Sequence, residues 1–139
     1  MIPNQNKMRV METIAERNLI SLMNDTKWRK LQDAVINTLR FPTPYQGKYL
    51  LDDLVYPEEF EKDVWYWGDW IEGIVPFYNV EWIRVRPRYL KHRGRLVSPE
   101  IIDITDDYVN ILKELSIPYR LDHDTYYIYG YISDTSILT

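Results

Sequence analysis

An α+β domain, with a small antiparallel or mixed sheet and helices packed on one face of it, is the fold class this sequence predicts. Three observations carry that reading. Apolar residues recur at three- and four-residue spacing over residues 6–40, β-favouring segments fill the middle, and a helical stripe followed by a hairpin pattern closes the chain. No repeat or linker-like stretch interrupts residues 1–139, so they read as one domain.

The elements follow in order. Met8, Met11, Ala15, Leu19 and Leu22 form the stripe of an amphipathic helix. A second helix starts after Asn24-Asp25-Thr26, any of which can cap it, and shows Trp28, Leu31, Val35 and Leu39 on its apolar face. Pro42 and Pro44 end it, which makes the first third a helical pair. Tyr45 to Leu51 suits a short strand, and Pro57 marks a turn or helix start in the acidic stretch that follows. Val64-Trp65-Tyr66-Trp67 is bulky and β-favouring before a Gly68-Asp69 turn, and strand alternation would put Trp65 and Trp67 on one face. Val80 to Val85 alternates with period two, and Pro87 places its end on a sheet edge. Ile101-Ile102-Asp103-Ile104 is a further short apolar run. Thr105 suits the N-cap of a helix over about 105–116, with Asp106 and Asp107 in its first turn and Tyr108, Ile111, Leu112 and Leu115 on its buried face. Tyr119 to Leu121 and Thr125 to Ile132 flank Asp122-His123-Asp124 as a β-hairpin.

Composition narrows the function classes. The chain of 139 residues has no cysteine, which removes disulfides, thiolate metal sites and cysteine nucleophiles. Lys7, Arg9, Glu12, Glu16 and Arg17 break any signal-peptide core, and no apolar run is long enough to span a bilayer. A cytoplasmic protein without a membrane role is the expectation. There are two histidines, His92 and His123, and no phosphate loop, Rossmann glycine pattern, nucleophile elbow or His-Glu-x-x-His helix. Asp122-His123-Asp124 reads as a polar hairpin tip, since three adjacent turn residues rarely converge on one metal. The expectation is therefore a non-enzymatic protein with no cofactor.

The most distinctive segment is Arg84-Val85-Arg86-Pro87-Arg88-Tyr89-Leu90-Lys91-His92-Arg93-Gly94-Arg95, with six Lys or Arg and no acid in a chain of net charge −4. Arg84, Arg86 and Arg88 would project from one strand face, with Lys91, Arg93 and Arg95 on the loop beyond. Guanidinium groups so spaced grip carboxylates or phosphates in bidentate fashion. They could equally pair with the protein's own acids, because Asp52, Asp53, Glu58, Glu59, Glu61, Asp63, Asp69 and Glu72 precede them with only Lys62 in opposition. Between the two charged stretches lie Trp65, Tyr66, Trp67, Trp70, Phe77, Tyr78 and Trp82, which can fill a small core or supply an exposed anchor.

The run Glu81-Trp82-Ile83-Arg84-Val85-Arg86-Pro87-Arg88-Tyr89-Leu90 through Leu96 resembles a family of small bacterial proteins known only as a domain of unknown function. Asn24-Asp25-Thr26-Lys27-Trp28 and Ile128-Tyr129-Gly130-Tyr131 are similar to it too. That resemblance implies an intact bacterial domain and brings no activity. In general character the chain also resembles the immunity proteins of bacterial toxin systems, short acidic α+β domains that bind and block a toxin.

The function expected from these features is a protein-binding, inhibitory module. Arg84, Arg86, Arg88, Tyr89, Lys91, His92, Arg93, Arg95, Trp67 and Trp70 are its candidate contacts. The alternative is a nucleic-acid binder using the same basic strip, with bases stacked on its rings. Its net negative charge weighs against that alternative.

Overall fold

The computed structural model describes residues 4–60 and 62–139; Glu61 of the acidic stretch lies outside them. The elements run α1 (Gln5–Arg17), β1 (Ile20–Ser21), α2 (Asp25–Thr38), β2 (Tyr45–Tyr49), β3 (Val55–Tyr56) and β4 (Val80–Val85). They continue through β5 (Arg88–Lys91), β6 (Glu100–Asp103), α3 (Thr105–Glu114), β7 (Arg120–Asp122), β8 (Thr125–Tyr129) and β9 (Tyr131–Ile132). A five-stranded antiparallel sheet in the order β3-β2-β4-β8-β7 is the frame, beside two-stranded ribbons β5-β6 and β1-β9. The α+β class and the C-terminal hairpin are as the sequence predicts.

Alternation along the central strands divides that sheet into two unlike faces. Ile83 and Val85 of β4 lie opposite Ile128 and Tyr126 of β8 on the inner face. There they pack with Trp28, Leu31 and Val35 of α2, with Tyr108, Ile111 and Leu112 of α3, and with Trp70 and Ile74 from the loop before β4. The outer face carries Gln46, Trp82, Arg84, Tyr127, Tyr129 and Arg120. A register shift at Glu81 lets Val80 stay in the core while the Glu81 carboxylate pairs with Arg17 and Lys48.

Several sequence expectations change. The helical pair is α2 with α3, whereas α1 docks on the 3-10 turn Phe77–Asn79. Met8, Met11 and Ala15 are exposed, and Val10 is the buried residue of α1. Residues 64–67 form no strand: Val64 is buried and the three rings after it point outward. Pro87 does not mark an edge, because β4 is the central strand. Lacking an N–H, Pro87 ends β4 where the chain turns out of the sheet, and Arg88 N donates to Arg86 O across it at 2.7 Å. At α3 the cap residue is Ile104, and the Asp103 carboxylate accepts from the Thr105 amide and hydroxyl.

Two stability predictions arise here. The Asn24 side chain accepts from the Lys27 amide at 2.8 Å, so Asn24→Ala should cost about 1 kcal/mol in denaturant melts. Tyr108 is fully buried and its hydroxyl has no hydrogen-bond partner among the described residues. Tyr108→Phe should therefore stabilise the fold by about 1 kcal/mol. Burial, with a smaller contribution from Tyr126, also pushes the Tyr108 hydroxyl far above the ordinary tyrosine range. A phenol held protonated in the fold contributes stability that is complete below its unfolded pKa of about 10 and is lost as pH rises beyond it. Melts between pH 8 and 11 should show that loss, and Tyr108→Phe should shrink it.

Candidate functional site

The arginines of the strip gather where the outer face meets the β7–β8 hairpin tip. Arg84 leaves β4 on the outer face, opposite Gln46 and Tyr127. The turn at Pro87 brings Arg86 and Arg88 beside it, although Arg88 belongs to another ribbon. With Lys62, Asp122, His123, Asp124 and Thr125 they line an open cleft of ≈ 550 Å³.

Aromatic rings lie close against these cations. Arg120 Cζ lies 4.2 Å from the centre of the Tyr127 ring, and Arg84 Cζ lies 5.9 Å from the same ring. Phe60 comes next, 5.3 Å from Arg84 Cζ and 4.7 Å from Arg86 Cζ. A guanidinium lying on a ring keeps its charge while its apolar faces are covered. The Nε atoms of Arg84, Arg88 and Arg120 are buried and have no hydrogen-bond partner among the described residues.

Asp124 is a carboxylate of this cleft that two of its arginines share. Its Oδ1 lies 3.5 Å from Arg86 Nε and its Oδ2 accepts from Arg88 Nη2 at 2.5 Å. Arg88 reaches Asp63 as well, at 2.8 Å through Nε. The acidic and basic stretches thus pair internally at Asp63 and Arg88. Arg86 is 5 % exposed, and burial pushes its guanidinium pKa down against the opposing pull of Asp124, with Arg84 and Arg88 adding to the drop. Asp122-His123-Asp124 does not converge on one point: His123 Nδ1 sits 2.8 Å from Asp122 while Asp124 turns to the arginines. Among the described residues no group of three His, Asp or Glu side chains is arranged to hold a metal.

An aromatic patch adjoins the cleft along β5. The 63–67 segment is fastened to that strand by the Asp63–Arg88 pair, by a Leu90 N–H to Val64 O bond of 2.8 Å, and by Trp65 stacked on His92 at 3.7 Å. Trp67 meets the Tyr89 ring edge-on at 6.0 Å, and Tyr89 meets buried Phe41 at 4.5 Å. Trp65 and Trp67 nevertheless remain 49 % and 54 % exposed.

Of the candidate contacts, Arg84, Arg86 and Arg88 line the cleft, Arg86 being itself buried, while Tyr89, His92 and Trp67 belong to the adjoining aromatic patch. Lys91, Arg93 and Arg95 sit further out, at the exposed end of the β5-β6 ribbon, where Gly94 takes a φ of 134° and Arg93 Nε donates to Ser98 O. Trp70 is a correction. It is 1 % exposed, its indole N–H donates to Thr43 O at 2.7 Å, and its ring meets Tyr45 edge-on. A ring so enclosed cannot be offered to a partner.

Phe60, Arg120 and Tyr127 belong to the site without having been singled out from sequence, and Lys62 and Asp124 were named there only as the lone cation of the acidic stretch and as part of a polar hairpin tip. The alternation Thr125, Tyr127, Tyr129 against Tyr126, Ile128 places Tyr127 and Tyr129 on one face, but Tyr126 on the other is also polar-tipped, so composition alone does not say which face is the outer one. Phe60 and Lys62 reach the cleft from an irregular loop, which periodicity does not describe.

No helix among the described residues is long and apolar enough to cross a membrane. No curated protein and no solved structure matches this chain. A model of a family of unknown function, DUF6678, matches residues 10–135 and so takes in both helices of the core, the whole sheet, the arginine cleft and the aromatic patch. The chain belongs to that family.

Proposed function

We propose that this chain is a non-enzymatic module that binds, and in the manner of an immunity protein inhibits, a protein partner through the arginine cleft and the adjoining aromatic patch. The observation that carries the reading is the half-exposed pair Trp65 and Trp67, whose segment is fastened to β5 in part through Asp63 and Arg88, an arginine that also lines the cleft. Trp, Tyr and Arg dominate the energetic centres of protein interfaces, and a ring already held in place loses little freedom on binding. The irregular loop that carries the rings needs a reason to keep them out of the core.

A second reading, nucleic-acid binding, rests on its own observation. Trp82, Tyr127 and Tyr129 share the outer sheet face with Arg84 and Arg120, which suits base stacking beside cations. The net charge of −4 and the carboxylates of Asp63, Asp122 and Asp124 at the cleft oppose it.

Affinity capture from a lysate of the source cells, run with and without nuclease, separates the two. A discrete protein retained after nuclease by the unaltered chain, and lost by Trp67→Ala, is the expected result. Binding that vanishes with nuclease, and that weakens steeply as salt rises, would move nucleic acid to first place.

A further inference from the structure

We infer that a recessed apolar cavity on the inner face of the sheet, opened by the missing side chain of Gly47, is a binding site for a small neutral aromatic molecule of one ring. It lies across the sheet from the arginine cleft, and it stands or falls independently of the protein-binding reading.

Gly47 stands on β2 between Tyr45 and Tyr49, and strand alternation puts all three on the core side of the sheet. No backbone demand explains a glycine there. Among the described residues the glycine with a positive φ is Gly94. A Cβ on Gly47 would meet Ile83 Cγ2 at 3.7 Å and Tyr45 at 3.8 Å, ordinary contacts, whereas one on Gly130 would run into Val80 O at 2.1 Å. What the missing side chain leaves is a cavity of ≈ 190 Å³. Buried Ile74, Val80 and Ile83 close it on the core side, and Tyr45, Tyr49 and Tyr56 wall it. Tyr56 is the cross-strand partner of Gly47 on β3. The exposed members of the lining are Tyr56 and Gly73, so the cavity opens between β3 and the loop before β4. A glycine inside a strand gives up packing and chain entropy, and this one does so where a larger side chain has room.

The class of ligand follows from the walls. Their polar tips are engaged within the protein: the Tyr45 hydroxyl donates to Asp69 O at 2.6 Å, that of Tyr49 to Val75 O at 2.7 Å, and that of Tyr56 to Asp52 Oδ2 at 2.5 Å. Lys48, which also lines the cavity, directs its Nζ to Glu81 Oε1 at 3.1 Å and Tyr49 O at 3.2 Å. A charged guest would therefore lose its water without gaining a counter-ion. A neutral ring loses nothing of that kind, and three tyrosines can meet it edge-on or offset. An apolar cavity of about 150 Å³ is already large enough to take up benzene, so this one suits a single ring with a small substituent.

The test uses toluene as probe, with benzoate and benzylammonium as the charged arms, and reads methyl and indole NMR shifts of the full chain. Toluene should bind the unaltered chain saturably, with a Kd of about 1 mM or below. It should move the methyl signals of Ile74, Val80 and Ile83 and leave the exposed Trp65 and Trp67 indoles in place. Both charged arms should bind at least about tenfold more weakly. Gly47→Val sends a β-branched side chain into the space, and should weaken toluene at least about tenfold with the melting midpoint kept or raised. Three silent methyls in the unaltered chain, or toluene shifts centred on the surface indoles, would overturn the site. Undiminished binding by a folded Gly47→Val would overturn its place at Gly47, and charged arms as tight as toluene would overturn the neutral class. Should Gly47→Val fail to fold, Gly47→Ala takes its part and should weaken toluene to a smaller degree, while the methyl shifts of the unaltered chain decide on their own.

Discussion

Trp70→Ala should lower stability by about 3–5 kcal/mol, the range for cutting a buried Trp to Ala. The ring sits in the main core with Leu31, Ile83 and Tyr108, is 1 % exposed, and its indole N–H satisfies Thr43 O. Its carbonyl also accepts from the Gln32 amide of α2, so the residue ties the irregular loop to the helix layer. Urea denaturation should show the loss as a lower midpoint at nearly constant slope. Trp67, three positions earlier, should behave in the opposite way. Cutting a ring that is 54 % exposed, meets Tyr89 edge-on and lies nearly parallel to Phe41 at 6.3 Å should change stability by about 1 kcal/mol or less, while removing the proposed anchor.

Gly130→Ala should be about as damaging, for a backbone reason. A Cβ at this position would lie 2.1 Å from Val80 O and 3.3 Å from Val80 C, and a strand backbone cannot step aside as a flexible side chain can. The same residue donates its N–H to Glu81 O at 2.8 Å and accepts from Leu22 N at 3.0 Å, so it joins β8, β4 and the β1 segment. We expect a loss of about 3 kcal/mol, the upper end for overpacking a tight site. Gly47→Ala is the control. Its Cβ would meet Ile83 Cγ2 at 3.7 Å, an ordinary contact, so a loss at Gly130 with little change at Gly47 would confirm close approach as the cause.

How much of this was legible depends on how local each signal is. The β4 strand came out of the sequence with its bounds, but its period-two alternation holds only from Trp82 onward, because the shift at Glu81 puts Val80 in the core with Ile83 and Val85 instead of on the face of Trp82 and Arg84. The faces of α2 and α3 came out at period 3.6. In α1 two stripes competed. Met8, Met11 and Ala15 is as good an amphipathic pattern as Val10 with Ile14, and only the docking on Phe77–Asn79 selects the second. Pro87 was misplaced because strand order is a long-range property: a chain that turns off a central strand looks, locally, like one on an edge.

The candidate site was legible by composition and not by geometry. Arg84, Arg86 and Arg88 do converge, yet not as one strand face, since the turn at Pro87 puts Arg88 on another ribbon. Trp67 and Trp70 were indistinguishable in sequence, and their separation into surface and core depends on how an irregular loop lies on the sheet. The internal acid of the cleft, Asp124, lies 36 residues from Arg88 and could be found only once β8 was seen beside β4.

The central claim is that the exposed ring at Trp67, beside the arginine cleft, anchors a protein partner. Its most direct test is the affinity of the nuclease-resistant partner for Trp67→Ala against the unaltered chain, with the melting midpoint of both recorded. The account expects the affinity to fall by about 2 kcal/mol, roughly thirtyfold, with little change in melting. Unchanged affinity in a normally folded Trp67→Ala would contradict it.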